Sequence, residues 1–201
     1  MRGRFITIDG PDGGGKTTQA RRLADALRAR GVDVLLTREP GGTKLGDRVR
    51  GILLDNETGR HAPIADALLF NAARAQHVIE VIVPALESGR TVVCARYADS
   101  TLAYQGYGGG IPLPDLRRIQ VIATGGLLPD RTILLDLPAE VGLARKHEEM
   151  TRFEVDFDLA FHQRVRDGFL EMARGEPDRY RVIDAREDLD AVFAKVLAAA
   201  I

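Results

Sequence analysis

A glycine-rich segment near the start of the chain carries the residue types that bind phosphate. It fits the pattern G-x-x-x-x-G-K-[ST], with an apolar run before it and a helix-like segment after it. In such a loop backbone N–H groups converge on phosphate oxygens, Lys16 reaches the β- and γ-phosphates of a nucleotide, and the Thr17 hydroxyl can bind Mg²⁺. The predicted ATP-phosphate site consists of Gly10, Pro11, Asp12, Gly13, Gly14, Gly15, Lys16, Thr17 and Thr18. A nucleotide-dependent switch or motor that has no phosphoryl acceptor can use the same loop.

Two further polar segments follow later apolar runs, at positions where a ligand crevice is expected. Thr37–Thr43 follows the second run and Arg96–Gln105 follows the third, while Phe70 and Arg74 lie one helical turn apart. In an open α/β sheet the ligand lies beyond the carboxyl ends of the strands. We therefore expect these side chains to meet beside the phosphate loop.

Short apolar runs rich in β-branched residues alternate with segments of helical periodicity. The predicted strands are Phe5–Ile8, Val32–Thr37, Thr91–Cys94, Thr132–Leu135 and Tyr180–Ile183. The predicted helices are Thr17–Arg30, Leu45–Leu54, Ile64–Ala73, Gln76–Ser88, Pro114–Thr124, Ala139–His147, Phe157–Ala173 and Leu189–Ala199. Such alternation predicts a single α/β domain over residues 1–201 with the three-layer P-loop NTPase fold, a five-stranded parallel sheet with helices on both faces.

The composition limits the partners and the cellular setting. The chain has 28 basic and 29 acidic side chains and a net charge of -1, so we expect no nucleic-acid partner. No apolar stretch approaches the roughly 20 residues of a membrane span, so we expect no membrane contact. Cys94 is the one cysteine, which excludes an intramolecular disulfide and suits a reducing cytoplasm. The four histidines have no metal-ligand spacing, and we interpret them as surface or packing residues: His61, His77, His147 and His162.

Five motifs in this order resemble those of the thymidylate kinase family: D-G-x-D-G-x-G-K-T-T, T-R-E-P-G-G-T, L-F-x-A-x-R, R-Y-x-x-S-T-x-A-Y-Q-G and a lid-like R-F-E. The resemblance spans nearly the whole chain. It implies an enzyme that phosphorylates dTMP to dTDP with Mg-ATP, on the route to dTTP, and it implies a homodimer. Apolar stripes at Ile64–Phe70 and Val78–Leu86 are candidates for the dimer interface or for packing on the sheet.

The resemblance implies a thymidine site made by side chains of two segments. Phe70 would stack on the thymine ring, and Arg74 would hydrogen-bond a base carbonyl. Thr101 and Gln105 resemble the family's readers of the base edge, and Tyr104 resembles the ring that packs against deoxyribose and disfavours a 2′-hydroxyl. Each residue also has an ordinary alternative, because a lone Phe on a helix is more often in the core and the polar residues could lie in caps or on the surface.

The resemblance also implies the groups that hold the acceptor phosphate and the metal. Asp12 and Glu39 resemble carboxylates near the sugar hydroxyl and the acceptor phosphate. Arg50 and Arg96 resemble the guanidiniums that grip this phosphate, for which the planar fork of arginine is suited. Thr17 is the expected Mg²⁺ ligand, with Asp12 acting through water.

A lid segment at about residues 144–154 is expected to close over the phosphates and to exclude water. In the family, a loop that has no basic residue after its aspartate, as with Gly13 here, goes with a lid that carries the catalytic arginine. Arg145 and Arg152 are the lid candidates, and they join Lys16 and Arg96 as expected catalytic residues. The alternative for the two lid arginines is a charged, solvated helix end.

The end of the third strand departs from the family pattern. The family normally has Asp-Arg-Tyr there, whereas this chain has Ala95 before Arg96 and Tyr97. The missing carboxylate ordinarily lies near Mg²⁺ and orients the arginine, so we expect slow turnover or transfer of this role to Asp9, Asp12 or another acid. The alternative functions are a catalytically impaired nucleotide-binding protein and a kinase for another pyrimidine monophosphate such as dUMP.

Overall fold

Five short apolar segments form one parallel sheet in the computed structural model, which describes residues 2–145, 151, 153 and 157–201. The strands are β1 (Phe5–Asp9), β2 (Val34–Arg38), β3 (Thr91–Ala95), β4 (Arg131–Asp136) and β5 (Tyr180–Asp184). Their spatial order is β2-β3-β1-β4-β5, and every neighbouring pair is parallel. The carboxyl ends of the strands therefore lie at the same edge, where β1 and β3 end side by side.

Helices connect successive strands and cover both faces of this sheet. The α-helices of the described residues are α1 (Lys16–Ala29), α2 (Lys44–Leu54), α3 (Pro63–His77), α4 (Val83–Glu87), α5 (Ala98–Thr101), α6 (Leu113–Thr124), α7 (Ala139–Ala144), α8 (Leu159–Gly175) and α9 (Leu189–Ala200). A 3₁₀ turn spans Asn56–Thr58, and two π-helical segments span Val78–Ile82 and Leu102–Gly108.

Alternate residues of each strand bury opposite faces of the sheet. Ile6 packs with Leu23 of α1 and Val192 of α9 on one face. Phe5, the preceding residue, packs with Ile82 and Leu86 on the other face. The predicted three-layer α/β fold with a five-stranded parallel sheet is confirmed.

One continuous helical rod replaces the two separate helices that we expected at Ile64–Ala73 and Gln76–Ser88. The π-helical turn joins α3 to α4, and the N–H of Val83 donates to the carbonyl oxygen of Val78. The wider turn accommodates Pro84, which has no N–H to donate and whose ring crowds the preceding turn of an α-helix. The proline therefore does not end the helix here.

The two apolar stripes that were candidates for a dimer interface differ in exposure. Within Val78–Leu86, the residues Val78 and Ile82 are buried against Phe5. Ile64 and Leu68 of α3 are about half exposed. The stripe on α3 is thus available for an interface, and the other one packs on the sheet except for Ile79, which is 69% exposed.

Residues 98–108 form a helix that the sequence pattern did not predict. α5 continues directly into the π-helical segment Leu102–Gly108. A Cβ atom on Gly108 would lie 2.6 Å from the ring of Phe161 in α8, so glycine permits close packing of the two helices. Glycine disfavours helices in isolation, and here tertiary packing overrides that preference.

Several helix boundaries also differ from the prediction, including those of α8 and α7. α8 begins at Leu159, because the carboxylate of Asp158 accepts a hydrogen bond from the N–H of Phe161 and caps the helix. α7 ends at Ala144. Its predicted extension to His147 lies outside the described residues.

Candidate active site

The glycine-rich loop joins β1 to α1 and requires glycine at particular backbone positions. Gly13 and Gly15 have φ values of 73° and 76°, which residues with a Cβ atom rarely adopt. A Cβ atom on Gly13 would also lie 2.1 Å from the carbonyl oxygen of Gly142 in α7. Gly15 is the N-cap of α1, so the positive end of this helix meets the loop. The loop has the strand–loop–helix setting that phosphate binding requires.

The first two side chains of α1 differ in exposure. Lys16 is buried, and its Nζ donates to the carbonyl oxygen of Pro11 at 2.5 Å, so the ammonium group lies across the loop. Thr17 is exposed and faces a cavity between α1 and the end of β2. This α1 cavity is lined by Thr17, Ala20, Arg21, Leu36, Thr37, Arg38, Gly42, Asp47 and Ala95.

A second cavity brings together nearly all of the predicted acceptor residues. Its volume is about 590 Å³ including its open mouth. We call it the aromatic pocket. Its lining consists of Asp12, Glu39, Pro40, Arg50, Leu54, Phe70, Arg96, Ser100, Thr101, Tyr104, Gln105, Thr151 and Phe153. Of the predicted set, Arg74 is absent from this lining.

Arg96 lies where the loop meets the aromatic pocket. Its Nη2 donates to one oxygen of Asp12 at 2.5 Å, and the Tyr104 hydroxyl donates to the other oxygen at 2.6 Å. Burial alone would lower the pKa of Arg96, but Tyr104 and Asp12 raise it above its usual value. The guanidinium therefore stays charged.

The backbone of Arg96 is strained. Among the described residues it is the one non-glycine with a positive φ, at 67°. Such a conformation costs on the order of 1 kcal/mol or more and persists where the surroundings determine it, often at functional sites. Here its Nη1 also meets the carbonyl oxygen of Gly10 at 3.5 Å and the Ser100 hydroxyl at 3.4 Å.

Arg74 lies beneath the aromatic pocket and is 1% exposed. Its Nε donates to Glu39 Oε2 at 2.7 Å, and its Nη2 donates to Thr101 Oγ1 at 3.0 Å. Further donations go to Asn71 Oδ1 at 3.1 Å and to the carbonyl oxygen of Tyr97 at 3.2 Å. Arg74 thus holds two residues of the pocket wall, and its contact with a base carbonyl stays a prediction.

Comparisons with known proteins show the family of this chain. The family model described as "Thymidylate kinase" matches residues 8–196. The chain belongs to the thymidylate kinase family. The thymidylate kinases of Roseiflexus sp. (strain RS-1) and Deinococcus radiodurans are 48% and 52% identical to it, over 96% and 98% of this chain and 91% and 96% of those proteins. A crystal structure of thymidylate kinase from Ehrlichia chaffeensis matches with a TM-score of 0.81 at 35% identity, covering 100% of this chain and 99% of that one.

The departure from the pattern of thymidylate kinases at position 95 lies in the α1 cavity. Ala95 pairs with Ile8 of β1, and both residues pack against α1. Asp9, the next residue of β1, faces the opposite side of the sheet. There it accepts hydrogen bonds from the Ser100 hydroxyl and from the N–H of Tyr97. Asp9 therefore does not lie where a carboxylate at position 95 would point.

Two other acids differ in how well they could replace the carboxylate that is missing at position 95. Asp12 has both carboxylate oxygens bonded, one to Arg96 and one to Tyr104. Asp47 lines the α1 cavity together with Thr17 and is the one carboxylate in that lining. Sequence reasoning did not identify Asp47, because it lies in α2 and reaches the cavity only through the folding of the Thr37–Thr43 segment.

Only part of the predicted lid segment lies within the described residues. Arg145 donates from Nη1 to the carbonyl oxygen of Ala185 at 2.9 Å, in the loop between β5 and α9. Arg152 lies outside the described residues. Phe153 lines the aromatic pocket, with its ring centroid 6.0 Å from that of Phe70 and 5.9 Å from that of Tyr104. Sequence reasoning selected the R-F-E motif for its arginine and missed this aromatic residue.

Proposed function

We propose that this chain transfers the γ-phosphoryl group of ATP to dTMP, yielding dTDP and ADP on the route to dTTP. The observation that carries this proposal is the aromatic pocket, whose lining includes Asp12 of the phosphate loop and every other predicted acceptor residue except Arg74. The phosphate loop and the acceptor site thus share a wall. The phosphate of a bound acceptor would therefore lie beside the phosphates held by the loop.

Different residues of the pocket contact different parts of the dTMP molecule. Phe70 stacks on the thymine ring, and Thr101 and Gln105 read the base edge. Tyr104, which is held by Asp12, packs against the deoxyribose. A pyrimidine fits this set, because one aromatic face and a few polar groups orient a small planar base.

Arg50 and Arg96 hold the phosphate of dTMP, and Lys16 with the loop holds the phosphates of ATP. One oxygen of the dTMP phosphate forms a bond to the γ-phosphorus while the bond from γ-phosphorus to the β–γ bridging oxygen breaks, and ADP leaves with that oxygen. The positive charges on both sides stabilise the charge that develops on the transferred group. The lid arginines Arg145 and Arg152 are the further candidates for this task.

The α1 cavity suits a Mg²⁺ ion. Mg²⁺ prefers oxygen ligands, keeps several waters and uses few protein groups. The exposed Thr17 hydroxyl would bind it directly, and Asp47 would act through water in place of the engaged Asp12. When bound with ATP, the ion would neutralise charge on the phosphate oxygens.

Release of ADP tests the activity. We would measure it with Mg·ATP and each of dTMP, dUMP, dCMP, dAMP and dGMP, for the natural chain and for Ala95→Asp. We expect turnover that is selective for dTMP, and a rise of about tenfold in Ala95→Asp, equivalent to about 1.4 kcal/mol. Selectivity for dUMP would favour the alternative function, in which this chain is a kinase for another pyrimidine monophosphate. Binding of ATP and dTMP without turnover in either protein would favour the nucleotide-binding alternative.

We further propose a homodimer that covers the exposed face of α3 and α6. These adjacent helices expose Ile64 and Leu68 on α3 and Val121 and Ile122 on α6. A two-fold axis lets such a face cover itself. Light scattering should show a dimer for the natural chain and a monomer for Leu68→Glu, with Leu159→Glu on α8 as the control. A monomeric natural chain would contradict this proposal.

We also propose a cytoplasmic location. Cys94 is buried, and the chain has no second cysteine with which it could form a disulfide. Within the described ranges, none of the helices combines the length and apolar character of a membrane span. Cell fractionation with a tagged chain tests the location.

A further inference from the structure

His77 is a buried histidine whose two ring nitrogens contact two different residues. It lies in the last turn of α3 and is 0% exposed. Its Nδ1 lies 3.2 Å from Glu39 Oε1, and its Nε2 lies 2.7 Å from Thr37 Oγ1. Thr37 lies near the end of β2 and Glu39 directly follows that strand, so both partners belong to the Thr37–Thr43 segment. The ring therefore ties this segment to the end of α3 through both nitrogens.

The two contacts impose a direction on each hydrogen bond. A carboxylate paired with arginine accepts hydrogen bonds and donates none, so Nδ1 of His77 carries the hydrogen that faces Glu39. In the neutral ring Nε2 then accepts from the Thr37 hydroxyl. The second oxygen of Glu39 accepts from Arg74 Nε at 2.7 Å. Both oxygens of Glu39 are therefore held by buried donors.

His77 also joins the walls of the two cavities. Glu39 lines the aromatic pocket, and Thr37 lines the α1 cavity beside Thr17. The intervening backbone closes on the ring, because a Cβ atom on Gly42 would lie 2.7 Å from His77 Nε2. The imidazole thus serves as a template around which the Thr37–Thr43 segment is folded.

We propose that His77 is a positioning residue that orients Glu39 toward the acceptor and Thr37 toward the donor side, without itself touching either substrate. This inference rests on the proposed role of Glu39 in the acceptor site. It predicts that the two ring nitrogens serve different substrates. The two contacts can be removed separately.

Two substitutions separate the contacts. His77→Asn keeps an amide nitrogen near the position of Nδ1 and loses the contact with Thr37, whereas His77→Gln places its amide near Nε2 and loses the contact with Glu39. For His77→Gln we expect the KM for dTMP to rise about tenfold, as for loss of a hydrogen bond to a charged group, with the KM for ATP nearly unchanged. For His77→Asn we expect the KM for dTMP to stay within about threefold of the natural value, since that hydrogen bond is kept.

Matched variants complete the kinetic test. Thr37→Val removes the hydroxyl at nearly constant shape and should reproduce the kinetics of His77→Asn. His162→Asn changes a second buried histidine, in α8 outside both cavities, and should leave both KM values unchanged. Thermal unfolding of each variant would be measured in parallel. Equal effects of Asn and Gln on the two substrates, or loss of stability without any KM change, would overturn the positioning role.

A measurement on the natural chain covers the case in which a variant does not fold. Nitrogen NMR of the histidine side chains should show the Nδ1–H form of His77, and its signal should shift when dTMP is added. The Nε2–H form, or a signal that does not respond to bound dTMP, would refute the inference. Failure of the proposed function is distinct from this result, because the natural chain would then fail to bind or phosphorylate dTMP at all.

Discussion

The donor side and the acceptor side of the site are built from different kinds of group. On the donor side, the phosphate loop is largely glycine backbone that meets the end of α1, and Thr17, Arg38 and Asp47 of the adjoining α1 cavity are exposed. The acceptor side consists of side chains that are buried and bonded to one another. Glu39, for example, is held by Arg74 and by His77.

This difference follows from what each side recognises. Phosphate is the same in every nucleotide, so backbone N–H groups and a helix end suffice to bind it. A particular base requires particular side chains, and these select well only if their positions are fixed before the substrate arrives. Substitutions on the acceptor side should therefore affect stability as well as binding, whereas those on the donor side should affect chemistry alone.

The largest effect is expected for Arg74→Met, which removes the buried partner of Glu39. Loss of one member of a buried ion pair costs about 3–5 kcal/mol, because the remaining charge is left without compensation. Urea unfolding should report a loss of this size. The matched control is Arg118→Met, whose side chain is 80% exposed and pairs with Asp115 on the surface. A loss below about 1 kcal/mol in Arg74→Met, the size typical of surface pairs, would remove the distinction between the two sides.

A slightly smaller effect is expected for Lys16→Met on the donor side, and it should lower the rate of turnover without lowering stability. Turnover should fall by about 10²–10³-fold, as it does when one group that stabilises transition-state charge is removed. The unfolding temperature should change little, because the aliphatic stem is replaced by one of similar size. Lys195→Met, on an exposed part of α9, serves as the control for loss of charge. A marked loss of stability in Lys16→Met would show that the donor side also depends on buried side chains.

The smallest of the three effects concerns Asp9, which lies between the two sides at the end of β1. Burial, followed by the nearby charge of Asp99, raises the pKa of Asp9 to about 6 from an ordinary value of 3.8. The folded protein therefore binds this proton more tightly than the unfolded chain, and stability is lost as the pH rises from about 4 to about 6. The loss should be on the order of 2 kcal/mol.

Asp9→Asn tests this expectation, because asparagine does not ionise. The free energy of unfolding of the natural chain, relative to that of the variant, should fall between pH 4 and pH 7 and then stay level. Asp25→Asn, at an exposed position of α1, should show no such trend. A difference that is independent of pH would mean that Asp9 does not titrate in this range.

Local patterns predicted most of the elements, and the misses have identifiable causes. The loop from Gly10 to Thr17 and the five strands were predictable, because their chemistry and their apolar runs are local. The helix at 98–108 was missed because Gly106 and Gly108 look like turn residues until the packing of Gly106 on α6 and of Gly108 on α8 is known. The helix break expected between Ala73 and Gln76 was wrong, because α3 continues through these residues to His77 and a π-helical turn then joins it to α4.

The sequence by itself determined the fold class, the phosphate loop and the family, since these depend on residue types at short, fixed spacings. Only the tertiary structure decided that Arg74 and His77 lie behind Glu39, and that Ala95 and Asp9 face opposite sides of the sheet. The physical reason is that burial and strand pairing are set by contacts between distant segments. The register between β1 and β3 determines which side chains share a cavity, and no local pattern contains that register.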